Sequence, residues 1–416
     1  MEPISETLPS ASEFNLLSPE VRADPYPYYA ALRRDSPVHP LIEGMPFYAI
    51  TRHQDVLHVV HHPEQFSSTA LQMALQGGGI AIGPNSGALA GHRLLESPMM
   101  IANDPPDHGR LRRLVNRGFT PRRIADLEPR IRELARAFVA EAAKGDEMDL
   151  VRELSVPLPV TVIAEMLGVE PEQRDQFKEW SDAFVVGLSG GAGQYSRDDV
   201  QRAADEMADY IERVAEGRRA RPAEDLISVL VAAEEGEALS TGDVLSFVAL
   251  LLIAGNETTT NLIGNGMKAL LAHPDQLERV QADASLIPQM VEEVLRYDSP
   301  IQGLPRTAAT DAELPSGSVP KDAMLLVFFG SANRDDDEFP AAGSFDIGRR
   351  APTHVAFGHG IHFCLGAALA RLEARVAFET LFEMCRDFEL TTDEVPMVDS
   401  LVLRGPKQLP VRFRRV

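Results

Sequence analysis

Residues 356–374 read AFGHGIHFCLGAALARLEA. A single cysteine, Cys364, stands among glycines 358, 360 and 366, with two histidines just before it and an alanine- and leucine-rich run after it. That run predicts a helix starting about one residue past the cysteine. A cysteine at such a place meets backbone N–H groups that have no intrahelical partner, and the positive end of the helix dipole. Both favour the thiolate, which is the form that binds metal. The glycines permit a tight turn and leave room for something flat to press against the backbone. One thiolate on such a surface suits haem iron. A structural cysteine buried in a glycine-rich turn fits the same local features equally well.

The whole chain narrows the classes open to it. It has 416 residues, enough for a large core, and a formal net charge of −22. A chain this acidic is expected to be soluble and to be a poor general binder of nucleic acid or of anionic membrane surfaces. The opening MEPISETLPSASEF has neither the basic nor the apolar region of a signal peptide. The apolar run Phe247–Ala254 is far shorter than the ~20 residues of a bilayer span, so no membrane anchor is expected. Cys364 and Cys385 are the only cysteines. That excludes a disulfide-rich scaffold and a zinc or iron–sulfur site built from four cysteines of one chain, and it points to a reducing cytoplasm.

Helical periodicity predicts amphipathic helices over 121–144, 159–168, 198–218, 241–273, 286–297 and 366–388, many bounded by Pro or Gly. The runs FYAI (47–50) and MLLVFF (324–329) predict strands. Cys385 reads as a small core residue of the last helix. The Gly-rich but apolar stretch 68–100 predicts a long loop or short helices, and long loops in compact domains are often functional.

Phe357, Gly360, Cys364 and Gly366 together fit the pattern Phe-x-x-Gly-x-x-x-Cys-x-Gly. This resembles the haem-ligand loop of cytochromes P450, and that family's other landmarks follow in order across roughly residues 20–415. The resemblance implies a mainly α fold with small β-sheets, one triangular haem-thiolate domain over 21–416 and a tail over 1–20. It implies haem b as cofactor, with Cys364 as axial ligand and Phe357, Gly358 and Gly366 beside it.

AGNETTT (254–260) resembles the family's distal-helix motif. Ala254 and Gly255 leave space for dioxygen, and Glu257 and Thr258 form the acid–alcohol pair. A hydroxyl can relay a proton, and a carboxylate can deliver protons from solvent. A threonine in mid-helix also tends to bond back to the i−4 carbonyl, here that of Ala254, and so to open the helix. Without its context the motif reads as a capped turn with surface threonines.

EEVLRY (292–297) resembles the family's Glu-x-x-Arg. Glu293 and Arg296 lie i, i+3 on one helix face and form an ion pair with a structural role. The family's third partner, an arginine, falls at Ser344 here, which leaves Arg349 or Arg350 as its replacement. His108 and Arg112 in NDPPDHGRLRRLVNRGFTPRR (103–123), together with Arg306 and His362, match the positions that bind the haem propionates. Four such groups around two carboxylates make electrostatic sense.

Arg110, Arg113 and Arg117 follow i, i+3, i+7 spacing on another face of the 103–117 segment, with Arg122 and Arg123 close behind. They form a basic cluster on an acidic protein. One reading is a solvated helix face; the other is a dock for an acidic electron carrier. By position, the resemblance implies a substrate pocket lined by Leu250, Ile253, Ala254, Ile301, Gln302, Leu304, Leu401 and Val402, with Leu71, Met73, Ile80 and Ile82 from the loop. Arg93 is the one cation near this set. Such a pocket suits a hydrophobic, roughly neutral substrate such as a terpenoid, a steroid-like ring system or a fatty acid. The Gly-rich VVGLSGGAGQ (185–194), bracketed by Trp180 and Tyr195, resembles the connection that lids this cavity in the family. The expected activity is that of a cytoplasmic, monomeric monooxygenase, supplied with electrons from NAD(P)H by ferredoxin and ferredoxin reductase. A hydrogen-peroxide-driven peroxygenase is the rival enzyme class, against which Glu257 and Thr258 argue. A haem-free recruiting module of the same fold is the other rival, against which Cys364 and the propionate residues argue.

Overall fold

The computed structural model describes residues 9–72, 85, 87–189, 195–232, 239–350, 354–400 and 402–416. Met73, Ile80, Ile82, Leu401 and residues 190–194 of the 185–194 stretch lie outside the described residues.

Helices dominate, and the sheets are small. Strands β1 (Val38–Pro40), β2 (Phe47–Ile50), β3 (Phe66–Ser67), β5 (Leu304–Ala308) and β8 (Met324–Val327) form one sheet in the order β1-β2-β8-β5-β3, where β4 is Glu147–Asp149 of another sheet. The β2–β8 pair is parallel, with Phe47 opposite Met324 and Ile50 opposite Val327, whereas β5 runs antiparallel to β8. That register sets Arg306 opposite Leu325 on an inner strand, between β8 and β3. Strands β6 (Ala312–Leu314) and β7 (Gly317–Val319) make a hairpin. A third sheet places β10 (Pro410–Arg415) between β4 and β9 (Cys385–Leu390).

Three helices form the centre. Glu257–Ala272 packs against both Ile287–Tyr297 and Ala367–Met384. Gly266 allows the closest approach, because a Cβ there would come within 2.7 Å of the Phe378 ring. Met267, Leu270, Met290, Val294, Phe378 and Leu381 fill the core between them. Outside it, Ala367–Met384 is tied to the Glu128–Ala142 helix by Arg132–Glu379 (2.5 Å) and Arg375–Glu128 (2.6 Å). Ahead of residue 21, Phe14 is buried and meets the Phe328 ring edge-on at 6.0 Å, so the expected tail already joins the core there.

Three expected helices have different ends. The 121–144 segment is two helices, Pro121–Asp126 and Glu128–Ala142. Pro129 cannot donate a backbone hydrogen bond, so it fits only the first turn of a new helix. The 366–388 segment is helical only to Met384. Cys385 opens β9 instead, because β10 offers that stretch a ladder, and the cysteine remains a fully buried core residue. The 241–273 segment starts at a capping box, where the Asp243 N–H donates to the Ser240 hydroxyl (3.0 Å) and the Ser240 N–H to the Asp243 carboxylate (3.1 Å). It is then interrupted by a π-helical turn over Leu252–Asn256.

Candidate active site

The Cys364 loop is shaped by two left-handed glycines, Gly358 and Gly360, both at φ +67°. Gly360 has a second reason to be glycine: a Cβ there would sit 2.5 Å from the Val60 carbonyl. The Cys364 N–H donates to the Phe357 carbonyl at 2.9 Å, closing the loop, and the helix begins at Ala367. Arg371 lies 4.5 Å over the Phe357 ring and is held by Glu292 through bonds of 2.7 and 2.9 Å. Burial pushes the Cys364 thiol up, more strongly than the helix-start argument alone suggests. The Gly366 N–H, Arg112, Arg371 and the Ala367 N–H pull it back. A buried thiolate therefore calls for a cation against it.

Cys364 opens on a cavity of about 320 Å³. Leu365, Gly366 and Leu369 share its side of the cavity; Leu250, Ile253, Ala254, Gly255, Glu257 and Thr258 contribute the wall from the interrupted helix. The π turn lies within that wall. The Thr258 hydroxyl donates to the Ala254 carbonyl at 2.5 Å. Gly255 lets the turn pack on the Pro157–Met166 helix, since a Cβ would approach Ile163 to 2.8 Å. Burial pushes the Glu257 carboxyl up to about 7.

Four basic side chains gather on the same cavity. The His108 and His362 rings lie 4.3 Å apart, and burial, then Arg306, His108 and Arg112, push His362 down to about 3. Arg306 is buried, donates to the Pro305 carbonyl (2.7 Å), and is pushed down to about 10 by burial. Nε2 of His108 is buried with no partner. Among the described residues none of the four stands in an ion pair. The acid that acts on Arg306, Asp104, is itself taken by the Ser67 hydroxyl (2.5 Å) and the Ser68 N–H (2.9 Å). A dianionic group in the cavity would satisfy the orphaned nitrogen and neutralise the cluster, and a soft cation would meet the thiolate. The residues present therefore fit a haem.

Glu293 and Arg296 are both buried and share two bonds of 2.8 Å. Arg349, not Arg350, completes the group: its Nε donates to Glu293 at 3.2 Å. Ser344 offers its carbonyl to both arginines, at 2.9 and 3.1 Å.

Leu71, Ile301, Leu304 and Val402 line the cavity as expected. Gln302 does not. Ile301 bridges to Leu403 and faces in, so the next residue turns outward; the Gln302 amide donates to the Ser299 carbonyl (2.7 Å) and the Tyr26 hydroxyl (3.3 Å). Arg93 also stays out of the cavity, paired with Asp209 and Glu212. Arg113 and Arg117 are exposed and Arg110 is half-buried, none of them on the cavity.

Several lining residues escaped the sequence reading, Glu373 and Arg22 among them. Glu373 is buried, leaves Oε1 without a partner, bonds through its side chain to Thr259, and has its carboxyl pushed up to about 8 by burial. Its position four residues after Leu369 puts it on the buried stripe of its helix, a signal the periodicity held. Arg22 is far in sequence from every motif, and only the tertiary fold brings it to the cavity.

A family model described as Cytochrome P450 matches residues 188–413. Among curated proteins, the vitamin D(3) 25-hydroxylase of Pseudonocardia autotrophica is 40% identical over 97% of this chain and 98% of its own length. Among solved structures, cytochrome P450 CYP109Q5 from Chondromyces apiculatus is 43% identical, covering 97% of this chain and 98% of that one, with a TM-score of 0.87. CYP109E1 from Bacillus megaterium in complex with corticosterone is 34% identical over 94% of this chain and 99% of that one, with a TM-score of 0.82.

Proposed function

The chain belongs to the cytochrome P450 family of haem-dependent monooxygenases, and from that premise we propose how its residues divide the work. Cys364 would hold the iron of haem b through its thiolate. His108, Arg112, Arg306 and His362 would hold its two carboxylates, and Ala254, Gly255, Phe357, Gly358 and Gly366 would leave room for it in the cavity. Bound haem supplies the redox chemistry, in which dioxygen is split and one of its atoms is inserted into substrate. The observation that carries this reading is that Cys364, the Glu257–Thr258 pair, the two arginines Arg112 and Arg306, and the two histidines His108 and His362 all border one cavity.

Glu257 loads and unloads protons, for a carboxyl held near pH 7 changes state easily at working pH. Thr258, whose hydroxyl is held at the cavity wall on the Ala254 carbonyl, would relay that proton. Leu250, Ile253, Ile301, Leu304 and Val402 make the substrate's surroundings apolar. They suit a hydrophobic, uncharged molecule of the terpenoid or steroid-like kind, and the names of the vitamin D(3) hydroxylase and the corticosterone complex agree with that choice. Electrons come from NAD(P)H through a ferredoxin reductase and a ferredoxin. The ferredoxin docks on Arg110, Arg113 and Arg117, with the exposed Phe363 ring beside Cys364 as an apolar contact. The protein acts as a monomer in the cytoplasm.

The test is reconstitution with a ferredoxin, its reductase and NADPH, with neutral terpenoids and steroids as substrates and product read by mass. Hydroxylated product dependent on all three components supports the reading. Equal product from hydrogen peroxide alone would replace it with a peroxygenase.

A further inference from the structure

Besides the basic cluster and the carboxyls, the cavity has a polar edge formed by Arg22, Asp399 and Ser400. Arg22 Nη1 lies 2.7 Å from Asp399 Oδ1; the Arg22 side chain is 20% exposed and that of Asp399 61%, so this edge faces solvent and forms a mouth. Among the described residues, Asp399 is the one ion-pair partner of the Arg22 side chain, and the Arg22 Nε is buried without a partner. Its backbone, in contrast, is fixed. Arg404 donates to the Ala23 carbonyl (2.9 Å) and the Arg22 carbonyl (3.4 Å), and is itself anchored on buried Asp298 at 2.8 Å. A pinned main chain carrying a half-used guanidinium is prepared to bind.

We propose that Arg22 is a specificity-determining residue, donating a hydrogen bond to a keto or hydroxyl oxygen on an otherwise apolar, uncharged substrate. This deepens the substrate class given above and rests on it. The charge balance selects the ligand. Asp399 neutralises Arg22, so a neutral acceptor needs only a spare N–H, whereas a carboxylate would meet the Asp399 charge or have to displace it. Fatty acids are therefore disfavoured. A polar group held at the mouth would also decide which end of a rigid molecule points toward Cys364.

The holoenzyme is titrated with three ligands: a ketosteroid, the matching steroid hydrocarbon without the ketone, and a long-chain fatty acid, each followed by the spin-state shift of the haem. The wild type is expected to prefer the ketone over the hydrocarbon by ~10-fold or more, the scale of a hydrogen bond to a charged group. Arg22→Gln and Arg22→Ala should lose most of that preference and leave hydrocarbon affinity unchanged. Asp399→Asn, which frees the guanidinium, should tighten fatty-acid binding. An unchanged ketone preference in both Arg22 variants, with both steroids still binding, overturns the inference while sparing the substrate class. Failure of both steroids to bind the wild type overturns the substrate class and the inference with it.

Discussion

The Thr258 hydroxyl lies 2.5 Å from the carbonyl of Ala254, four residues back, at the π turn where the long distal helix is interrupted. The bond occupies the hydroxyl in the resting protein and holds it at the cavity wall. Thr258→Ala removes the hydroxyl proposed to carry the proton but touches neither the cysteine loop nor the apolar lining. Such groups typically contribute ~10²–10⁴-fold. The expected outcome is uncoupling: NAD(P)H is still consumed, hydrogen peroxide rises and product per NAD(P)H falls. Measuring all three together checks it, and wild-type coupling in the variant would pass the role to another hydroxyl.

Glu257 gives a pH dependence. Burial disfavours its charged form, so the carboxyl sits at about 7 instead of near 4.5. It carries a proton below that pH and loses it above. Product formation should fall as pH rises through about 7 under saturating reductant. Glu257→Gln keeps the shape without the titration, so its profile should be low and flat. A variant profile that still bends near 7 would assign the titration elsewhere.

The Glu293–Arg296–Arg349 group makes a stability prediction. Removing one partner of a buried pair leaves the other charge uncompensated and costs ~3–5 kcal/mol. Glu293→Ala strands two arginines and is expected to fall in or beyond that range, or to prevent folding. Arg349→Ala, at the group's edge with a single 3.2 Å bond to Glu293, should be milder, ~1–2 kcal/mol. Urea unfolding of the two holoenzymes ranks them, and an equal loss would mean that Arg349 belongs to the core of the group.

Arg113 and Arg117 test the electron path. Changing both to Glu should slow reduction by an acidic ferredoxin at low salt. The defect should shrink near 1 M salt, where the screening length is ~3 Å. Stopped-flow reduction at two ionic strengths decides it; wild-type rates at low salt would leave the cluster as a solvated face.

The layout of the candidate site was legible wherever it depended on local spacing. The cysteine loop, the acid–alcohol pair and even the Thr258–Ala254 bond follow from residue types a few positions apart. So did the strand cores and most helix centres. What was missed depended on distant partners. Cys385 left its expected helix because β10 lies alongside it. Gln302 turned outward because Leu403 pairs with its neighbour. Between Arg349 and Arg350, which the sequence offered as alternatives, the fold chose Arg349 by turning it back on Glu293. Arg22 reached the cavity only through packing. Glu373 lies on the buried stripe of its helix, four residues after Leu369, so the helical period alone could have pointed to it.

The account stands on Cys364 as the iron ligand, and the carbon-monoxide difference spectrum of the reduced protein reads that ligand directly. The wild type, and Cys385→Ser as a control for the second thiol, should both give the Soret band of a thiolate-bound haem. Cys364→Ser should lose that band, because a hydroxyl is a weaker and harder ligand than a thiolate. A thiolate-type band that persists in Cys364→Ser, or one that disappears in Cys385→Ser alone, would contradict the account.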